Sequence, residues 1–288
     1  ITGAARGVLV NNGTIDHTGT GWDVNDYGLT NSAGATTTFN GTSISIEWNF
    51  VYGGSFNLSG KTVTLDGVDD TDDTTLTCNA TIAGNITINK THATGDTTFN
   101  NDCTIGGTLT RTNGPINASS GLTTLTVLGN FSATTTDTLG QSSSTLSFAS
   151  SGIQYASSTG VPWGGLLNVS STNSTGELRL SSALISSSTC DVVEGTLSLL
   201  GRNLTCAGAF TVQNGGTLRL EGGETVTAPI FQSTSTFLMT GDGDSAADTY
   251  TITSFATSVS HLVVSSTDSQ DIYQILVPMD IDGNFSFA

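Results

Sequence analysis

Apolar and polar residues alternate in short runs along the whole chain. Ser43-Ile44-Ser45-Ile46-Glu47-Trp48 alternates strictly and predicts a strand. Ser55 to Leu65 predicts two short strands around a turn at Ser59-Gly60. No window sustains the helical period of an amphipathic helix. The alternation itself repeats. Ile82-Ala83-Gly84-Asn85-Ile86-Thr87 is followed by Ile105-Gly106-Gly107-Thr108-Leu109-Thr110 and by Val127-Leu128-Gly129-Asn130-Phe131-Ser132. The anchors Ile82, Ile105 and Val127 recur at a nearly constant step, and each copy predicts a short strand with a glycine bend inside it. Leu9-Val10-Asn11-Asn12-Gly13-Thr14 returns after a similar step at Leu29 to Gly34. A period in the twenties predicts stacked turns that each bury a face on the next. Asn and Gly at such corners suit positive φ.

A longer echo overlies the short one. Thr91 to Asp96 resembles Thr172 to Glu177, and Leu167 to Ser174 resembles Leu262 to Ser269. Ile281 to Phe287 copies Val127 to Ala133. These echoes predict one continuous repeat over 1–288, with N-terminal turns in 1–60, middle turns in 61–160 and a C-terminal super-repeat in 161–288. The sequence opens on Ile1 rather than Met and stops as another copy begins, which reads as a processed or partial product. A terminal turn without a polar cap would offer its edge to more chain or to another copy.

Composition agrees with strands. The chain has 51 Thr, 35 Ser and only 4 Pro, while the strong helix formers Ala, Glu, Lys and Arg are scarce. Hydrophobic residues make up 36%, regularly placed, which argues against a disordered polar tract. The fold class read here is all-β. A net charge of −17, from 7 Lys+Arg against 24 Asp+Glu, leaves no basic face for nucleic acid or an anionic membrane. The apolar runs are too short for a membrane helix, so no membrane insertion is expected of this segment.

The turns Ala83-Gly84-Asn85-Ile86-Thr87-Ile88, Gly195-Thr196-Leu197-Ser198-Leu199 and Gly215-Gly216-Thr217-Leu218-Arg219-Leu220 resemble parallel β-helix repeats. They are similar to those of large secreted surface proteins of bacteria and archaea, including adhesin-like and autotransporter-passenger-like solenoids. The resemblance covers nearly the whole chain and implies a parallel β-helix, or β-solenoid, with each turn in the low twenties of residues and loop insertions between strands. It also implies a fibre, adhesin or coat component. The expectation is a non-enzymatic structural subunit of an extracellular filament, sheath or fibre, whose partners are copies of itself. The alternative is an adhesin stalk that binds cell-surface glycans or a partner cell. A polysaccharide lyase or hydrolase is the third class. The basic residues Arg6, Lys61, Lys90, Arg111, Arg179, Arg202 and Arg219 stand outside the acidic motifs, and the carboxylates concentrate in loops.

Four cysteines form two local pairs. One period before Cys103 lies Ala80, on the same short segment as Cys78, so a bridge between consecutive turns is natural there. Cys190 and Cys206 sit in matching contexts. The other reading is four buried free thiols. No C-x-x-C occurs, and His17, His92 and His261 are scattered, which argues against a metal site at the cysteines. Disulfides would imply an oxidising, extracellular setting.

Twelve N-x-Ser/Thr sequons occur, at Asn12, Asn40, Asn57, Asn79, Asn85, Asn89, Asn117, Asn130, Asn168, Asn173, Asn203 and Asn284. They read either as N-glycan acceptors or as the Asn-x-Thr chemistry of solenoid corners. The Ser/Thr-rich stretches could carry O-linked glycans as well. Two acidic stretches are candidate Ca²⁺ loops: Asp66 to Asp73, with five carboxylates, and Asp242-Gly243-Asp244 with Asp248. Neither matches the full EF-hand pattern, and a solvated acidic loop is the plainer reading of both. Trp22, Trp48, Trp163, Tyr27, Tyr52 and Tyr155 could stack on sugars but more simply plug the solenoid or cover loops. Trp163, after Pro162 in a Gly-rich stretch, suggests an insertion loop.

Overall fold

The computed structural model describes residues 7–24, 27–67, 73–91, 95–134, 139–140, 143–158, 160, 162–170, 175–244, 246–252, 258–266 and 268–288. The chain forms two compact units, 1–144 and 145–288. Each is a parallel β-solenoid, and no helix occurs among the described residues.

In the first unit two long faces run through every turn. One stacks Gly7–Asn11, Tyr27–Asn31, Phe50–Tyr52, Thr74–Cys78, Thr97–Phe99 and Ile116–Ala118. The other stacks Gly21–Val24, Ser43–Ile46, Thr62–Gly67, Asn85–Lys90, Leu109–Asn113 and Phe131–Ala133. Shorter strands, such as Cys103–Ile105 against Thr124–Val127, close the third side. The length of a turn varies. Gly7 pairs with Tyr27 and Thr97 with Ile116, both short steps, whereas Phe50 pairs with Leu76. That longest step contains the acidic stretch at 66–73, so insertions at corners stretch the period while strand register holds.

Register puts like on like. Ile44, Val63, Ile86, Leu109 and Phe131 form one inward column. All five are buried. Burying each such side chain contributes about 2 kcal/mol, so a stack of columns can hold a narrow core together without helices. The anchors read from the sequence pair as expected: Ile82 bridges Ile105, and Ile105 pairs with Val127.

The glycine bend differs from its sequence reading. Gly84, Gly107 and Gly129 are corners between two strands, and their φ angles are not positive. Their requirement is space. The Gly107 amide donates to the Gly84 carbonyl at 3.2 Å, and the Gly129 amide to the Gly107 carbonyl at 3.2 Å. A Cβ on Gly107 would lie 2.5 Å from the Gly84 oxygen, and one on Gly129 2.4 Å from the Gly107 oxygen.

The short echo near the start conceals a buried polar ladder. Asn11 pairs with Asn31, and both are buried. Asn11 Nδ2 donates to Asn31 Oδ1 at 2.9 Å and to the Thr37 hydroxyl at 2.9 Å, while Asn31 Nδ2 donates to the Gly53 carbonyl at 2.5 Å. Each buried amide is satisfied by the adjacent turn, as interior polar groups must be.

In the second unit Ile153–Ser158, Glu177–Leu180, Cys190–Ser198, Gly216–Leu220, Thr236–Met239, His261–Val264 and Phe285–Phe287 stack in parallel. The proposed echo of Leu167 at Leu262 is not a structural equivalence. Leu167 pairs with Cys190, whereas Leu262 pairs with Phe237 and belongs to a different face. Both are alternating apolar strands, and period-2 patterning alone does not distinguish faces. The echo of Thr91–Asp96 at Thr172–Glu177 falls partly on residues 92–94 and 171–174, outside the described residues.

Candidate functional site

Two bridges form at the expected pairs: Cys78–Cys103, with Cα atoms 5.2 Å apart, and Cys190–Cys206, 5.9 Å apart. In the first unit Cys78 ends Thr74–Cys78, and Cys103 opens the strand Cys103–Ile105 on the following turn. In the second unit Cys190 opens Cys190–Ser198, and Cys206 ends Leu204–Cys206 one turn later. All four cysteines are buried. Each bridge therefore staples one turn to the next at a corner, and no cysteine is free.

Asp242, Asp244 and Asp248 converge in the second unit, with one oxygen from each lying within 4.8 Å of the others. Gly241 and Gly243 make the convergence possible by adopting φ of 65° and 73°, a left-handed backbone that side-chain-bearing residues resist. The Asp244 amide then donates to Asp242 Oδ1 at 3.2 Å, and the Ala246 amide to Asp244 Oδ1 at 2.8 Å. The Asp242 amide donates to the Tyr250 hydroxyl at 3.0 Å. Burial pushes the Tyr250 phenol well above its ordinary range. The Asp248 carboxyl is also raised, by desolvation and then by the charges of Asp244, Asp242, Asp271 and Asp268.

Asp268 and Asp271, from the next turn of chain, thus belong to the same field, and sequence reading missed them. Asp271 Oδ2 accepts from the Ser266 hydroxyl at 2.7 Å. Asp271 Oδ1 and Asp268 Oδ2 are shielded from solvent without a hydrogen-bond partner among the described residues. The signal lay in the period itself: Thr249 pairs with Ile272, so Asp271 follows Asp248 at the same step that separates Ile82 from Ile105. Oxygen donors this close suit a hard cation, which takes 6–8 oxygens at about 2.3–2.6 Å. The other acidic stretch, Asp66 to Asp73, falls largely on residues 68–72, outside the described residues.

Seven sequon asparagines are exposed: Asn12, Asn40, Asn57, Asn79, Asn130, Asn203 and Asn284. Asn85, Asn89, Asn117 and Asn168 are half-buried on strands, and Asn173 lies outside the described residues. Several asparagines also hold the solenoid together. Asn85 Oδ1 accepts the Thr108 amide at 2.8 Å, and Asn203 Oδ1 accepts the Thr225 amide at 2.8 Å, each from the neighbouring turn. Asn117 Nδ2 donates to Asp96. Asp102, which is not in a sequon, caps two amides of the next turn, those of Thr123 and Thr124, at 2.7 and 2.8 Å. Corner hydrogen bonding and solvent exposure coexist at residues such as Asn203.

Two expectations about other side chains change. Trp163 is buried, bridging Ser186 and donating its amide to the Ile185 carbonyl at 2.9 Å. It fills the core rather than an insertion loop, so its replacement would report on packing and not on sugar stacking. Of the basic residues, Lys90 and Arg111 are fully buried. Lys90 Nζ donates to the Glu47 carbonyl at 2.9 Å and to the Asp66 carbonyl, at the mouth of the first acidic stretch. In the second unit Glu177 takes both Arg179, at 2.8 Å, and Arg219, at 3.3 Å, across the outer face.

A shallow open cleft of about 520 Å³ lies over the first turns, lined by Trp22, Asp23, Ser45 and Asp66 among others. No family model, curated protein or solved structure matches the chain.

Proposed function

We propose that the chain is a structural segment of an extracellular filament, sheath or fibre, in which solenoid turns of one copy continue by strand pairing onto another. The observation that carries this reading is the parallel register of the turns. In the first unit Ile44, Val63, Ile86, Leu109 and Phe131 stack as one buried column. Turns that contact only their neighbours can be added one after another, and a head-to-tail contact that does not close on itself generates a filament.

The remaining features suit the same role. Buried inter-turn disulfides are the chemistry of oxidising compartments. A charge of −17 and outward columns of Ser, Thr and Asn keep a long assembly soluble without a basic surface. Exposed sequon asparagines would add a hydrated glycan coat. Electron microscopy of the material in its native setting tests the reading. Fibres that bind antibodies to this chain along their length support it, and labelling confined to dispersed particles or the cell interior rejects it.

A further inference from the structure

Four Asn–Gly pairs occur in the chain, at Asn12, Asn40, Asn113 and Asn214. Glycine after asparagine leaves the backbone nitrogen unhindered, so the side-chain amide carbon can be attacked from within the chain. Whether that happens in a folded protein depends on where the following N–H points. At two of the pairs it is aimed away from the preceding side chain. The Gly13 amide donates to Asn11 at 2.9 Å. The Gly215 amide faces the Thr234 carbonyl of the next turn at 3.4 Å, while Asn214 Oδ1 accepts from Ser233 and Thr234.

Asn113 differs. The Gly114 amide donates to Asn113 Oδ1 itself at 3.0 Å, which brings the nitrogen beside the carbon it would attack. Gly114 is held in that pose. Its φ is +82°, its carbonyl accepts Arg111 Nε at 2.5 Å, and a Cβ there would lie 2.5 Å from Lys90 Cβ. Buried side chains on two turns therefore fix the corner, and near-attack geometry is where such fixing accelerates an intramolecular step. Asn113 is followed by Gly-Pro, so it is not a sequon and no N-glycan would block its amide.

We propose that Asn113 is a site of spontaneous backbone modification in the folded protein. The Gly114 nitrogen loses its proton and bonds to the Asn113 amide carbon, and the side-chain amino group leaves as ammonia, closing a five-membered imide. Water then opens the ring at either carbonyl and leaves aspartate or isoaspartate. No oxidant or catalyst is needed. Isoaspartate inserts a methylene into the main chain at the corner that Lys90 and Arg111 hold, and either product adds a negative charge there.

The test is peptide mapping of the full chain after incubation at mildly alkaline pH, native and in urea. In the native protein Asn113 is expected to convert about tenfold faster than Asn214, with isoaspartate among the products, while the four sites draw closer together in urea. Conversion at Asn113 as slow as at Asn214 in the native chain overturns the proposal. Aspartate alone at 113 also overturns it, because direct hydrolysis leaves the backbone unchanged. Asn113→Gln, whose longer side chain cannot close the five-membered ring, should abolish the native product.

Discussion

Arg111 occupies a core position in register with Ile88 and donates its Nε hydrogen to the carbonyl of Gly114 at 2.5 Å. The column above it runs Ile46, Leu65 and Ile88, and Ala133 follows it. A fully buried guanidinium in such a column is tolerated only because corner groups satisfy it. Arg111→Ala removes that donor and leaves a cavity, so it should destabilise by about 3 kcal/mol. Arg111→Met keeps the volume and should cost clearly less. Urea unfolding of the three proteins checks this, and equal midpoints would contradict it.

Each disulfide closes a short loop, with sequence separations of 25 and 16. Chain-entropy reasoning gives about 3 kcal/mol per bridge. Replacing Cys78 and Cys103 together by Ala should lower the urea midpoint by that order, and Cys190 with Cys206 likewise. Because both bridges are buried, native protein should resist mild reductant while partly unfolded protein should not. Thiol labelling across a urea series reads this directly.

The second unit should gain stability as pH falls from neutral. Asp191, Glu221 and Asp248 all have raised carboxyl pKa values, in each case first through desolvation, with Glu224 adding at Glu221 and the neighbouring aspartates at Asp248. A folded-state pKa above the unfolded one means the native state binds the proton more tightly. Stability therefore rises as pH drops through the raised values and is lowest where all three are ionised. Hydrogen exchange of the strands in 177–252 should slow as pH falls from neutral through the raised carboxyl range, after correction for intrinsic rates. Faster corrected exchange at the lower pH would contradict the sign.

Calcium at millimolar concentration should act on the same cluster by neutralising it. The expected result is a higher thermal midpoint with Ca²⁺ than with Na⁺ at equal ionic strength, lost in Asp242→Asn/Asp244→Asn. Equal midpoints in both salts would identify 242–248 as a solvated acidic turn.

Much of the architecture was legible because a solenoid writes its register into the sequence. Ile82, Ile105 and Val127 are neighbours in space because they are one period apart, and the Cys78–Cys103 staple follows from the same spacing. What stayed hidden has physical causes. Lys90 alternates in phase with Ile86 and Ile88, and Arg111 with Leu109, yet charge suggests an outward position, and only their carbonyl partners make burial acceptable. Asp271 stands one regular step after Asp248, with Thr249 paired to Ile272, but Leu262 to Ser269 matches the pattern of Leu167 to Ser174 more closely than that of its true neighbour in the stack. Leu167 and Leu262 share a pattern but not a face, since alternation marks inside from outside and nothing more.

Assembly of copies into a filament is read by sedimentation and negative-stain microscopy of the purified, oxidised chain over a rising concentration series. Oligomers that lengthen with concentration while circular dichroism stays that of a β-solenoid are expected. A chain that remains monomeric at every concentration would overturn the filament reading.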